Sequence, residues 1–184
     1  VERGLLSDYR VLILAVDEEY VARVDLERFR SEDSTINLDD ASKLLGCWRG
    51  LSKIKTQGED VDDIPMKRAV AFANTIDASQ VLAKRLEIVG RTANRPTEGN
   101  QGLSLQTKHV DGKQNALVRR QSLEWLKADP GPQTARILTN ARCLSEGIDV
   151  PALDAVIFTE ARGSQVDIVQ AVGRVMRKYD GKNS

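Results

Sequence analysis

Between residues 66 and 158 short apolar runs alternate with helical patterns, and no other feature of the chain constrains its fold as strongly. Arg68-Ala69-Val70-Ala71-Phe72 reads as a strand, residues 103–110 as a second, Arg136-Ile137-Leu138 as a third and Ala155-Val156-Ile157-Phe158 as a fourth. A helix through Val81, Leu82, Leu86 and Val89 separates the first two. Another over residues 114–127, with Leu117, Leu123 and Leu126 inward, separates the next two and is stopped by Asp129-Pro130-Gly131-Pro132. Residues 164–178 read as a final helix. Strands joined through helices of this length pair in parallel, because a parallel pair needs a crossover where an antiparallel pair needs only a turn. The expected fold class is therefore α/β, a parallel sheet covered by helices on both faces. Sheets of this kind take ligands at the carboxyl ends of their strands, which marks Asn74-Thr75, residues 109–112 and Thr139-Asn140.

Ahead of residue 66 the pattern is less regular. Residues 9–16 are an apolar run suited to a buried strand, and residues 17–30 are a charged stretch readable as a helix with Tyr20, Val24 and Phe29 inward. After a polar break at 31–35, an Asn or Asp within residues 37–40 can cap a helix carrying Leu44, Leu45, Trp48 and Leu51. An acidic stretch closed by Pro65 sets a unit boundary, with a partly helical connector over residues 1–65 and the sheet domain over 66–184. The chain begins at Val1, almost directly ahead of a strand, and stops just after a helix; a fragment of a longer protein is expected.

Composition removes several function classes. Lys and Arg number 27 and so do Asp and Glu, so bulk charge does not point to nucleic acid and any such binding needs a local patch. Two separated cysteines and a single histidine, His109, make a zinc site an unpromising reading and favour a reduced, cytoplasmic setting. No apolar run approaches the roughly 20 residues of a membrane-spanning helix.

Two stretches carry chemistry. Thr139-Asn140-Ala141-Arg142-Cys143-Leu144-Ser145-Glu146-Gly147-Ile148-Asp149-Val150-Pro151 follows the third strand and brings small polar groups and a carboxylate to a strand end. Gln170-Ala171-Val172-Gly173-Arg174-Val175-Met176-Arg177 has the form Q-x-x-G-R-x-x-R on the final helix. Ile168, Val172, Val175 and Tyr179 lie at the spacing of a buried stripe, while Gln170, Arg174 and Arg177 share the other face. Guanidinium stays charged and its fork fits phosphate oxygens. Gly173 in mid-helix costs about 1 kcal/mol relative to Ala, which suggests the close approach of another backbone or a ligand. Taken singly, the first stretch reads as a structured βαβ connection with one turn of helix, and the second as an amphipathic helix with a solvated basic face.

Together and in this order, the two stretches resemble motifs V and VI of superfamily 2 helicases and translocases. The strand at residues 67–72 with Asn74-Thr75 is similar to motif IV, and His109-Val110-Asp111-Gly112 with residues 120–126 is similar to the segment between motifs IV and V. The resemblance covers about residues 66–178, most of the second RecA-like domain, and the wording of both stretches is closest to the DNA translocases of restriction-modification systems, the type ISP kind.

The resemblance implies an ATP site between two RecA-like domains. The chain lacks a G-x-x-x-x-G-K-[ST] phosphate loop and an acidic metal-binding motif, which belong to the first such domain. That first domain is the implied partner within the longer chain and would supply the phosphate loop and the Mg²⁺ site; residues 1–65 would be its tail and the connector, a strand plus helices. This domain would supply Arg174 and Arg177 as arginine fingers, with Gln170, Gly173, Gly147 and Asp149 at the nucleotide. Thr139, Asn140, Asn74 and Thr75 would contact the DNA backbone, duplex DNA being favoured over RNA. No metal ligands are implied here, and this fragment alone is expected to be inactive. The alternatives are a RecA-like nucleic-acid or protein binding module without turnover, and an RNA-dependent helicase. Beside these stand plainer expectations: His109 bonds locally, Trp48 and Trp125 are core, Cys143 packs, and Lys84-Arg85 and Arg119-Arg120 are solvated.

Overall fold

The computed structural model describes residues 23–53, 64–94, 102–141, 153–159 and 173. Their elements run α1 (Arg23–Glu32), α2 (Leu38–Ser52), β1 (Arg68–Phe72), α3 (Ile76–Ala93), β2 (Ser104–Val110), α4 (Ala116–Lys127), β3 (Thr134–Asn140) and β4 (Ala155–Phe158). The strands form one four-stranded sheet in the order β2-β3-β1-β4, and every pair is parallel. The α/β class expected from the alternation is the one observed. The strand expected at 9–16 and the helix at 164–178 lie outside the described residues, apart from Gly173, which is helical.

Side-chain alternation along β1 sorts the two faces. Ala69, Ala71 and Ala73 join one core with Leu82, Leu86 and Val89 of α3 and with Ala135 and Ile137 of β3. Val70 and Phe72 join a second core with Leu126 of α4, Val110 and Leu138. Small residues under α3 let it lie close to the sheet. Larger ones lie on the other face, where Phe72 of β1 and Phe158 of β4 stack with centroids 5.5 Å apart.

Gly90 of α3 lies against β2, where an added Cβ would meet Leu105 Cβ at 2.8 Å and Leu105 N at 3.1 Å. Alanine is the better helix former by about 1 kcal/mol, but overpacking against a strand costs about 1–3 kcal/mol. Gly90→Ala should therefore lower stability by about 1 kcal/mol in urea unfolding; a stabilised variant would show that α3 can lift off β2 at no cost.

α1 and α2 do not stand apart from the sheet domain. Phe29, Ile36, Leu44, Leu45, Trp48 and Leu51 belong to the same core as Ala69 and Ile137. The Trp48 indole N–H donates to Leu103 O at 2.8 Å, buried. Arg85 of α3, expected as part of a solvated face, has a side chain only 15% exposed. Its guanidinium donates to Asp33 (3.0 Å), Asp40 (2.6 Å) and Thr35 (3.2 Å), pinning the α1–α2 turn onto α3. Its partners lie 45 to 52 residues away in sequence, beyond the reach of local pattern.

Side-chain caps fix where the helices begin. Asn37 accepts from Asp40 N, Thr75 from Ala78 N and Asn115 from Val118 N, each satisfying an amide that the first helical turn leaves without a partner. Leu117, expected inward on α4, is 63% exposed. It stands nine residues from the buried Leu126, and at 3.6 residues per turn that places it on the opposite face.

Candidate functional site

At the carboxyl edge of the sheet, β1 and β3 end side by side, with Phe72 paired to Asn140 and Ala73 N donating to Asn140 O at 2.9 Å. β3 runs two residues beyond the expected Arg136-Ile137-Leu138, so Thr139 and Asn140 are its last strand residues rather than the loop after it. Ladder pairing on both sides, to β1 and to β2, extends the strand. Both residues are 0% exposed. Thr139 Oγ1 donates to Ser79 O at 2.9 Å and Asn140 Nδ2 donates to Ala71 O at 3.1 Å. Asn74 and Thr75, by contrast, are exposed after β1, with Thr75 capping α3.

Of the nucleotide-site residues, Gly173 is helical and half-buried; an added Cβ there would meet nothing within 4 Å among the described residues. Arg174, Arg177, Gln170, Gly147, Asp149 and Cys143 lie outside the described residues.

A chain of polar contacts crosses the same edge. Ser79 Oγ lies 2.8 Å from His109 Nδ1, His109 Nε2 lies 3.0 Å from Asp111 Oδ2, and Asp111 Oδ1 accepts from Lys113 N at 2.7 Å and Gln114 N at 3.0 Å. An ionised carboxylate only accepts, so a neutral imidazole here carries its proton on Nε2 and accepts from the Ser79 hydroxyl at Nδ1. The residue types are those of a hydrolytic triad, but the arrangement is not one. Ser79 is 0% exposed within α3, and the ring faces serine through Nδ1 and aspartate through Nε2, the reverse of the nucleophile-activating order. His109 therefore bonds to its near neighbour Asp111, as expected, and also to Ser79, 30 residues away on α3. Its partners were not foreseen: His109-x-Asp111 at a strand end was a readable hint, whereas nothing marks a serine within α3.

Hydrogen bonding from His109 leads the effects that hold the Asp111 carboxyl below its ordinary value; the amides of Lys113 and Gln114 add to it and burial opposes it. A depressed carboxyl contributes stability above its unfolded value, about 3.9, and loses it as pH falls through the folded value. Asp111→Asn should accordingly lower the thermal midpoint at neutral pH, and the gap to the wild type should close below about pH 4. A gap that stayed constant down to acid would remove the carboxylate from the account.

Beside the relay an open groove of about 390 Å³ runs between α3 and β2, lined by Gln80, Lys84, Glu87, Lys108, His109 and Gln114. β2 is one of the two edge strands among the described residues, and side chains cap its backbone. Glu87 Oε1 accepts from Thr107 N at 3.1 Å, and Gln114 Nε2 donates to His109 O at 3.4 Å. Such capping blunts an edge that could otherwise pair with another strand. On the opposite face Trp125 is partly buried beneath two cations, Lys108 Nζ at 4.8 Å and Arg136 Cζ at 5.1 Å from its ring centroid. It packs with Leu126 and Leu138, as expected of a core tryptophan. No cluster of potential metal ligands occurs among the described residues.

Residues 53–179 match the family model of the helicase conserved C-terminal domain. The ATP-dependent type ISP restriction-modification enzyme LlaBIII, solved bound to DNA, is 39% identical and superimposes with a TM-score of 0.82. That match covers 98% of this chain and 12% of the enzyme's. The C-terminal part of the Fun30 ATPase domain is 15% identical over 64% of this chain and 32% of its own, with a TM-score of 0.43, too low to carry an argument. No curated protein matches significantly. The family match spans more than half of the chain and reaches across both motif-bearing stretches, at 139–151 and 170–177. The chain belongs to the helicase conserved C-terminal domain family, as a superfamily 2 domain of the kind found in type ISP restriction-modification enzymes.

Proposed function

We propose that this chain is the second RecA-like domain of an ATP-dependent DNA translocase of a restriction-modification system. The observation that carries the reading is 39% identity, sustained over 98% of the chain, to an ATP-dependent enzyme solved on DNA. In this reading ATP lies between two domains. A first RecA-like domain elsewhere in the intact protein holds Mg²⁺ and the phosphates; this one brings Arg174 and Arg177 to the γ-phosphate. Gln170 orients the arginines, Gly173 lies beside them, and Gly147 and Asp149 lie near the ribose. Arginines supplied across a cleft stabilise charge that develops only during phosphoryl transfer.

DNA contacts fall to the carboxyl edge of the sheet. Asn74 and Thr75 are exposed there and suit backbone contacts, which position a motor without reading sequence. The side chains of Thr139 and Asn140, expected in the same role, are engaged inside the sheet. We assign them to fixing the start of the segment that follows. The sheet domain of residues 66–184, with its connector over 1–65, then works as one half of a gate that closes on ATP and opens after hydrolysis.

A binding module without turnover would have no use for two arginines and a glutamine on one helix face, which favours the motor. The experiment is ATP turnover of the intact protein with and without nucleic acid. Stimulation by duplex DNA of any sequence, and not by RNA, is expected. Stimulation by RNA alone would replace the reading with an RNA-dependent helicase, and no turnover at all would leave a binding module.

A further inference from the structure

We infer that His109 is a positioning residue that holds two loops of the carboxyl edge as one preset surface for a phosphodiester backbone. The inference rests on the DNA-motor reading and names where on this domain the backbone would lie. The two loops leave different strands. Residues 73–75 leave β1 and enter α3, while residues 111–115 leave β2 and enter α4. β3 lies between β1 and β2, so no ladder bond joins these loops directly. The polar relay does join them. From the α3 side, Ser79 Oγ reaches His109 Nδ1; from the α4 side, Asp111 holds His109 Nε2 with one oxygen and the amides of Lys113 and Gln114 with the other. β3 is tied in where Thr139 Oγ1 donates to Ser79 O.

The surface so fixed has the charge a phosphate chain needs, despite the zero net charge of the protein. Lys113, Arg119 and Arg120 fall within residues 112–122, which contain no carboxylate. Lys113 and Arg120 are exposed, and Arg119 donates to Gly112 O at 3.3 Å, holding the loop against α4. Asp111 is committed to His109 and two amides. The exposed Asp77, in the first turn of α3, is the nearby carboxylate in sequence to Asn74 and Thr75. Gly112 adds room: a Cβ there would meet nothing within 4 Å among the described residues. Donors held in place before binding lose less freedom when a ligand arrives, which is the role assigned to the imidazole. It touches no substrate itself.

The test uses Ser79→Ala, His109→Ala and His109→Asn in the intact protein, with ATP turnover followed against the concentration of a mixed-sequence duplex. His109→Asn keeps a group near Nδ1 but loses the reach to Asp111, so it should behave as His109→Ala. Expected is a rise in the half-saturating DNA concentration of roughly three- to tenfold, alike for all sequences, with less than about a twofold change in kcat at saturating DNA. In this chain, which has one histidine, the imidazole nitrogen resonances should report the Nε2–H form in the wild type and lose the Nδ1 hydrogen bond in Ser79→Ala. Unchanged DNA dependence in Ser79→Ala, with that bond shown to be lost, would overturn the positioning role. Should His109→Ala fail to fold, Ser79→Ala, which removes a single oxygen, decides alone. A wild type whose turnover ignores DNA would overturn the motor reading itself and the inference with it, a result distinct from a DNA-dependent wild type with indifferent variants.

Discussion

Replacing Arg177 with alanine in the intact protein should cut ATP turnover at least tenfold, and by about 10³-fold if it carries the full weight of an arginine finger, while ATP binding stays mostly intact. The asymmetry between the two quantities is the point. In the proposed site, ground-state affinity comes from the first domain's phosphate loop and Mg²⁺. The guanidinium across the cleft acts chiefly on charge that appears in the transition state. Its loss should therefore appear in kcat with little change in nucleotide affinity. Arg177→Lys should rescue poorly, because an ammonium restores the charge but not the planar fork. Single-turnover hydrolysis and nucleotide binding, measured on the same preparations, separate the two effects. Unchanged turnover would mean that Arg177 faces solvent and that Q-x-x-G-R-x-x-R here is only an amphipathic helix.

The second large effect concerns stability. Trp48 is 4% exposed in the core that α2 shares with α3 and the sheet, and its indole N–H donates to Leu103 O across 55 residues of sequence. Trp48→Ala removes the ring and leaves that carbonyl without its donor. Large-to-small substitution of a buried aromatic costs about 3–5 kcal/mol, a large share of the 5–15 kcal/mol typical of a whole domain. Trp48→Phe keeps most of the packing and should lose about 1 kcal/mol, the net worth of one hydrogen bond. Urea unfolding of both variants, with unchanged m-values, is the measurement. A loss below about 1 kcal/mol in Trp48→Ala would show that α2 is a loosely attached layer whose removal the sheet domain tolerates.

The shared core also shows what the sequence could and could not convey. The parallel sheet was legible because period and length carry it: runs such as Ala69 to Phe72 are too short for helices, and the segments between them too long for turns. The caps at Asn37, Thr75 and Asn115 were within reach for the same reason, being set by neighbours three residues away. What escaped depends on distant partners. Arg85 beside Lys84 looks like a solvated face until the fold brings Asp33 and Asp40 against it. Thr139 and Asn140 look like loop residues until β1 and β2 flank them. Their hydroxyl and amide then find backbone carbonyls inside the protein, where a polar side chain is tolerated because it is hydrogen-bonded. Leu117 misled in the opposite sense, since an apolar residue fits any stripe until the helix phase is fixed by Ser122 and Leu126.

The candidate site was legible as a motif pair rather than as geometry. Arg174 and Arg177 stand out for their spacing, yet an arginine finger acts on a group held by another domain, so no local pattern completes it. The relay through Ser79, His109 and Asp111 had only His109-x-Asp111 to announce it. Its remaining member sits 30 residues away on α3.

The most direct measurement is ATP turnover by this chain alone beside that of the intact protein, each with duplex DNA. The account predicts no turnover above background for the 184-residue chain, at any DNA concentration, and DNA-stimulated turnover for the intact protein. Robust hydrolysis by the purified chain would contradict it, because arginines without a phosphate loop across the cleft have no site to complete.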